Sequence, residues 1–130
     1  MDIEHIKLID IPKIKDVRGN LSVIEKDVLP YPIRRVYYLY DVPSDACRGG
    51  HAHKEQFEFL VALSGSFNVS MTDINGNKTN ITLNKPDKGL LIPNMIWREL
   101  DNFSSGSVCL VVASDVFEED DYIREFSEFK

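Results

Sequence analysis

His51 and His53 flank Ala52 in a 130-residue chain that holds only three histidines. In a β-strand, positions i and i+2 point to the same face. A His-x-His pair on a strand therefore aims two imidazoles into one space, where they can bind a metal, shuttle protons or hold an anion. Imidazole is the side chain whose ordinary pKa lies closest to neutrality, so one ring can take up a proton and return it within a turnover. Two idle surface histidines would show the same short pattern, so the surroundings must decide. Glu58 follows His53 after four intervening residues, and Gly65 follows Glu58 after six. Flanked by Phe57 and Phe59, Glu58 is either a pocket carboxylate or the solvent-facing member of an alternating strand. His5 reads as an N-terminal surface residue.

The elements that must hold these groups are strands. Phe57, Phe59, Val61 and Leu63 fall on alternate positions, the period of a strand with one buried face. Phe67, Val69 and Met71 alternate with polar residues, and Asn75-Gly76-Asn77-Lys78 then reads as a hairpin turn. Leu90–Ile92 and Val108–Ala113 look like strands buried on both faces. Another turn falls at Arg18-Gly19-Asn20, before Leu21 and Val23. Only residues 118–129 suggest a helix, capped by Asp120 or Asp121, with Tyr122, Phe126 and Phe129 on one face. No linker or repeat interrupts the chain. The pattern predicts a single all-β domain over residues 1–130, an antiparallel β-sandwich or barrel with a short C-terminal helix or turn.

Composition narrows the partners. Fifteen Lys and Arg against 21 Asp and Glu leave a net charge of −6, which argues against nucleic acid or an anionic membrane as the main partner. No apolar run approaches the roughly 20 residues of a membrane-spanning helix. Cys47 and Cys109 are too few and too far apart for a disulfide framework. With no secretory signal visible, a cytoplasmic protein with reduced thiols is expected.

The run His51-x-His53, Glu58, Gly65 resembles the first motif of the cupins, which are small double-sheet jelly rolls. Asp45 stands where that motif normally begins with a glycine. The second cupin motif supplies one more histidine after a P-x-G pattern. Here the chain reads Pro93-Asn94-Met95-Ile96-Trp97-Arg98, with Met95 in the glycine's place and Arg98 in the histidine's. His51, His53 and Glu58 could still supply three metal ligands, the usual catalytic number. Arg98, which the resemblance turns inward, has no lone pair to give and would repel a divalent cation. No metal and no other cofactor is expected. The residues suit acid–base chemistry on an anionic ligand.

A closer resemblance follows from longer pieces. Arg18-Gly19, Arg35-Val36-Tyr37-Tyr38, Arg48 to Lys54, Gly65-Ser66-Phe67, Gly89-Leu90 through Trp97, Phe103-Ser104-Ser105 and Ala113 through Arg124 resemble the bacterial sugar 3,4-ketoisomerases, over roughly residues 10–129. The resemblance implies an enzyme that acts on dTDP-4-keto-6-deoxyglucose and moves its ketone from C4 to C3 through an enediol. The product would feed a 3-aminotransferase making dTDP-3-amino sugars for surface glycans such as O-antigen. It also implies a metal-independent homodimer whose subunits exchange N-terminal strands.

His51 matches a catalytic histidine of that family and is expected to be the general base and acid, with His53 as its partner. Arg18, Arg48 and Arg98 are the expected substrate contacts, because a guanidinium gives planar, multidentate contacts to a diphosphate. Arg18 lies in an early turn, so it is either a surface charge or reaches the site from a neighbouring subunit. Tyr37 and Tyr38 are adjacent and face opposite sides, and Tyr38 is assigned to the site because it shares a parity with Tyr40. Trp97 either stacks on the nucleotide base or pads the core. Three other readings remain: a metal-dependent cupin enzyme, a non-catalytic nucleotide-sugar-binding cupin, and a nucleotide-sugar 3,5-epimerase. The last would need a histidine–aspartate pair, and none is legible beside His51 or His53.

Overall fold

Short alternating runs punctuated by turns fold into strands, with almost no helix, in the computed structural model, which describes residues 1–130. The strands are β1 (Lys7–Asp10), β2 (Lys13–Asp16), β3 (Gly19–Ser22), β4 (Arg35–Leu39), β5 (Arg48–His53) and β6 (Glu58–Ser64). They continue with β7 (Phe67–Asp73), β8 (Lys78–Leu83), β9 (Lys88–Ile92), β10 (Ile96–Asp101), β11 (Val108–Ala113) and β12 (Tyr122–Ile123). One turn of helix, α1 (Phe126–Phe129), follows.

Two five-stranded antiparallel sheets face each other, in the orders β1-β9-β6-β11-β4 and β12-β5-β10-β7-β8. β2 and β3 pair only with each other. The space between the large sheets is filled by Leu60, Phe67, Val69, Met71, Leu90, Ile92, Phe103 and Val111, among others. The alternation of β7 buries Phe67, Val69 and Met71 as its sequence predicts. Asp73 closes the β7–β8 hairpin by accepting from the backbone N–H of Asn75 and Asn77, while Gly76 takes a φ of +85°.

β6 is buried on both faces rather than one. Leu60 and Ala62 face the inter-sheet core, while Phe59 and Val61 face outward under a cover that includes Ile11, Ile24, Leu29 and Tyr31. The residues on either side of the β2–β3 hairpin thus make a third layer, tied down where the Tyr31 hydroxyl donates to the Val112 carbonyl at 2.7 Å. The same layer explains why β9 and β11 are apolar on consecutive positions. It also fixes Glu58, which shares the inward parity of Leu60. Gly89 lies under the Phe59 ring, where a Cβ would overlap it.

The C-terminal segment departs from the expected helix. Glu119–Asp121 form a single tight turn, Tyr122 and Ile123 add to the edge of β5, and only Phe126–Phe129 are α-helical. An open strand edge at β5 offers backbone partners, and these outcompete the helical spacing. Phe126 and Phe129 still act together and pack on Trp97. No helix is long and apolar enough to cross a membrane.

Candidate active site

β5 and β10 place His51 and Arg98 directly opposite each other across one ladder. Both side chains point between the sheets, as does His53 two positions on. Arg98 directs its Nη2 (2.7 Å) and Nε (3.2 Å) at His51 Nε2. The two histidine Nε2 atoms lie 3.1 Å apart. From the facing sheet comes Glu58, only 1 % exposed. It accepts from Arg98 at one oxygen, and from the Tyr37 hydroxyl (2.9 Å) and the Gln56 amide (2.7 Å) at the other. Tyr122, opposite His53 on β12, packs its ring on both imidazoles, with centroids 4.9 Å from His51 and 4.5 Å from His53. A cavity of about 460 Å³ opens onto this cluster, with Arg35, Arg48 and Arg124 on its walls beside Tyr37, His51 and Arg98. That volume is in the range of small-molecule sites. Arg35 stacks over Tyr37, and its buried Nε has no partner.

The electrostatics follow from burial. Desolvation holds His51 well below its ordinary 6.5, and the Arg98 charge pushes the same way. Burial also lowers His53, although Glu58 and Asp121 pull against it. Both rings are therefore neutral at pH 7 and carry lone pairs. Burial is the largest influence on Glu58 and would raise it, but the charges and hydrogen bonds around it, those of Arg98 first, together outweigh burial and keep the carboxylate ionised. Burial, then Glu58, raises Tyr37, so its phenol remains a donor. The cluster is a neutral base pair beside a compensated ion pair, facing a cavity whose walls carry further positive charge.

The structure brings together His51, His53, Arg98 and Arg48. Three assigned residues lie elsewhere. Tyr38 is 60 % exposed on the outer face of β4, where its ring meets Tyr40. Tyr37 turns inward instead, with Arg35 and Leu39. Parity relates residues within a strand but does not say which set faces the core. Trp97 is 7 % exposed and belongs to the small cluster with Ala52 and Phe129 on the far side of β10, because alternation sends its neighbour Arg98 inward. Of its two readings, core padding holds. Arg18 is on the exposed β2–β3 turn, its side chain 87 % exposed and paired with Asp16, outside its own chain's cavity.

Of the two readings of Glu58, the inward one holds: it is buried against Arg98 rather than solvent-facing. The sequence reading missed others. Asp121 supplies the histidine–aspartate pair not legible before, its Oδ2 3.0 Å from His53 Nδ1 across 68 positions of sequence. No local spacing signals such a contact, though the acidic tail held the group. Arg35, Tyr37 and Arg124 carried a signal only as parts of the longer resemblance.

Ligand atoms of His51, His53 and Glu58 all lie within 4.8 Å of one another, close enough to share one cation. The Arg98 guanidinium, however, bonds to both His51 Nε2 and Glu58. It takes the lone pairs such a cation would need and adds a repelling charge. The donor set does not fit a divalent metal while Arg98 is in place.

Comparison with known proteins adds the family context. Residues 4–130 match the family described as FdtA, WxcM-like, C-terminal. The chain is 44 % identical over 126 residues to the TDP-4-oxo-6-deoxy-α-D-glucose-3,4-oxoisomerase of Aneurinibacillus thermoaerophilus, covering 95 % of this chain and 89 % of that one. Its fold superposes with a TM-score of 0.94 and 36 % identity on the H51N variant of the 3,4-ketoisomerase QdtA from Thermoanaerobacterium thermosaccharolyticum in complex with TDP-4-keto-6-deoxyglucose, covering 98 % of this chain and 92 % of that one. With the WlaRB TDP-quinovose 3,4-ketoisomerase of Campylobacter jejuni the TM-score is 0.92 at 41 % identity, covering 98 % of both chains.

Proposed function

The chain belongs to the FdtA family, WxcM-like, C-terminal, and on that footing we propose that it moves the ketone of a TDP-linked 4-keto-6-deoxyglucose from C4 to C3. The observation that carries this reading is the pair of buried, neutral histidines beside Arg98, at the base of a cavity lined by Arg35, Arg48 and Arg124.

The reaction needs a proton to leave C3 and another to reach C4. As the base takes the C3 proton, the C–H electron pair becomes the C3=C4 double bond and the carbonyl pair moves onto O4. The proton of the C3 hydroxyl passes to O4, C3 becomes the ketone, and C4 accepts a proton from the conjugate acid. His51 is assigned as that base, since burial beside Arg98 keeps its ring unprotonated at pH 7. His53, in hydrogen-bond reach of it, is the partner that passes or holds the proton. Arg98 gives a fixed positive charge where the enediolate forms, the kind of preorganised stabilisation that often dominates catalysis. Arg35, Arg48 and Arg124 are placed to meet a diphosphate.

Three finer points belong to the same proposal. The enzyme acts as a homodimer with exchanged N-terminal strands, which gives Arg18 a role in the partner's pocket. Support comes from β2 and β3, which pair with neither large sheet and expose Ile14 and Leu21, and from the exposed β4 face of Val36 and Tyr38. The setting is the cytoplasm, in keeping with the exposed free thiol of Cys47. The product would be a substrate for amination at C3.

Incubation with TDP-4-keto-6-deoxyglucose in deuterium oxide, with a chelator present, tests the reading by proton NMR. A 3-keto sugar deuterated on the ring is expected. A substrate that keeps its C3 proton and forms no product would overturn it and favour a binding protein.

A further inference from the structure

One strong contact at the site has no task in the proton transfer, that of the Asp121 carboxylate with His53. We infer that Asp121 is a positioning residue that fixes which nitrogen of His53 is bare, and that the C-terminal tail exists to deliver it. This rests on the ketoisomerase reading above.

Asp121 Oδ2 lies 3.0 Å from His53 Nδ1, and the contact is nearly buried, with side chains 3 % and 13 % exposed. The same carboxylate accepts from the backbone N–H of Glu55 at 2.7 Å and of Gln56 at 3.3 Å. A carboxylate accepts and does not donate, so Nδ1 must carry the hydrogen. In a neutral ring the Nε2 of His53 is then bare, and it is the atom that faces His51 Nε2 at 3.1 Å. A proton on His51 can pass across this gap only if His53 Nε2 has a lone pair to receive it. With the other tautomer, a His51 protonated on Nε2 would put two hydrogens in the gap and the relay would close.

The tail is built to hold that carboxylate still. Lys54 N–H donates to the Asp121 carbonyl at 2.8 Å, and Tyr122 and Ile123 continue as a strand against His53 and Ala52. Beyond them Phe126 and Phe129 close on Trp97. The tail is thus fixed at both ends of a short span, and Tyr122 adds the ring that packs on both imidazoles. This accounts for a tail that abandons its helical spacing to run as a strand.

The test pairs imidazole nitrogen NMR with steady-state kinetics on TDP-4-keto-6-deoxyglucose, for the wild type, Asp121→Asn and Asp121→Glu. The wild type should show His53 as the Nδ1–H tautomer. Asp121→Asn, whose amide can donate to Nδ1, should populate the Nε2–H form and lose about 100-fold or more in kcat with KM changed less than about threefold. Asp121→Glu should recover part of the rate. A wild-type His53 protonated on Nε2, or an Asp121→Asn enzyme within about threefold of normal kcat, would overturn the inference. Should Asp121→Asn not fold, the wild-type tautomer decides alone. An inactive wild type would strike the ketoisomerase reading instead, and the nitrogen spectrum would still rule on Asp121.

Discussion

Arg98 does two things that pull against each other. It makes His51 harder to protonate, and it compensates the buried charge of Glu58 from the opposite sheet. Removing one member of such a pair leaves the other charged and dry, which costs about 3–5 kcal/mol. Arg98→Ala should therefore lower unfolding free energy by about that amount in urea titrations, besides abolishing turnover. A loss under about 1 kcal/mol would mean that water reaches Glu58 freely. The histidines give a second prediction, with a definite sign. Both folded pKa values lie below the ordinary 6.5, so the unfolded chain takes up protons first as pH falls. Stability is then greatest above pH 6.5 and declines below it, by up to about 1.4 kcal/mol per pH unit for each ring that stays neutral in the fold. Denaturation series between pH 7.5 and 5 should show this slope, and His51→Asn should flatten it. At this scale the His-x-His pair was legible from strand alternation, which is local, and Arg98 only through the cupin resemblance. Tyr37 was not, because parity lacks an absolute phase until the sheet is packed.

Among the elements, β6 and the tail show where local pattern gives way. The alternation of Phe57, Phe59, Val61 and Leu63 is real, but it marks the outer face, which the residues on either side of the β2–β3 hairpin cover. The inter-sheet parity is Glu58, Leu60 and Ala62, and a carboxylate there makes sense only once Arg98 arrives from the other sheet. Likewise Tyr122, Phe126 and Phe129 have helical spacing, yet Tyr122 leaves to pair beside His53 while the two phenylalanines stay on Trp97. Strand pairing is a long-range event, and it overrode a weak local preference. The contact of β6 with β9 gives a direct test of the packing. Gly89→Ala would thrust a methyl into the Phe59 ring, and overpacking of this kind costs about 1–3 kcal/mol. A drop of that size is expected in the urea midpoint at unchanged slope. A neutral substitution would show that this cover is loose enough to let the ring move.

At the level of the whole molecule, the sandwich was readable from strand length and turn frequency, because two apolar-faced sheets have few ways to bury themselves. Assembly was not readable in that way. The free hairpin β2–β3 and the exposed Val36 and Tyr38 face fit a second copy of the chain. Sedimentation should give twice the chain mass of 14.9 kDa, and Ile14→Asp should shift the protein toward monomer and reduce turnover if Arg18 acts across the interface. A monomer at micromolar concentration with full activity would contradict exchange. In the proposed reaction His51 removes the C3 proton between the two sheets. The most direct measurement is the rate at which deuterium from solvent enters C3 of TDP-4-keto-6-deoxyglucose, compared for the wild type and His51→Asn in chelator. Exchange should fall by about 100-fold or more in a variant that still folds. Exchange at close to the wild-type rate would show that another group is the base.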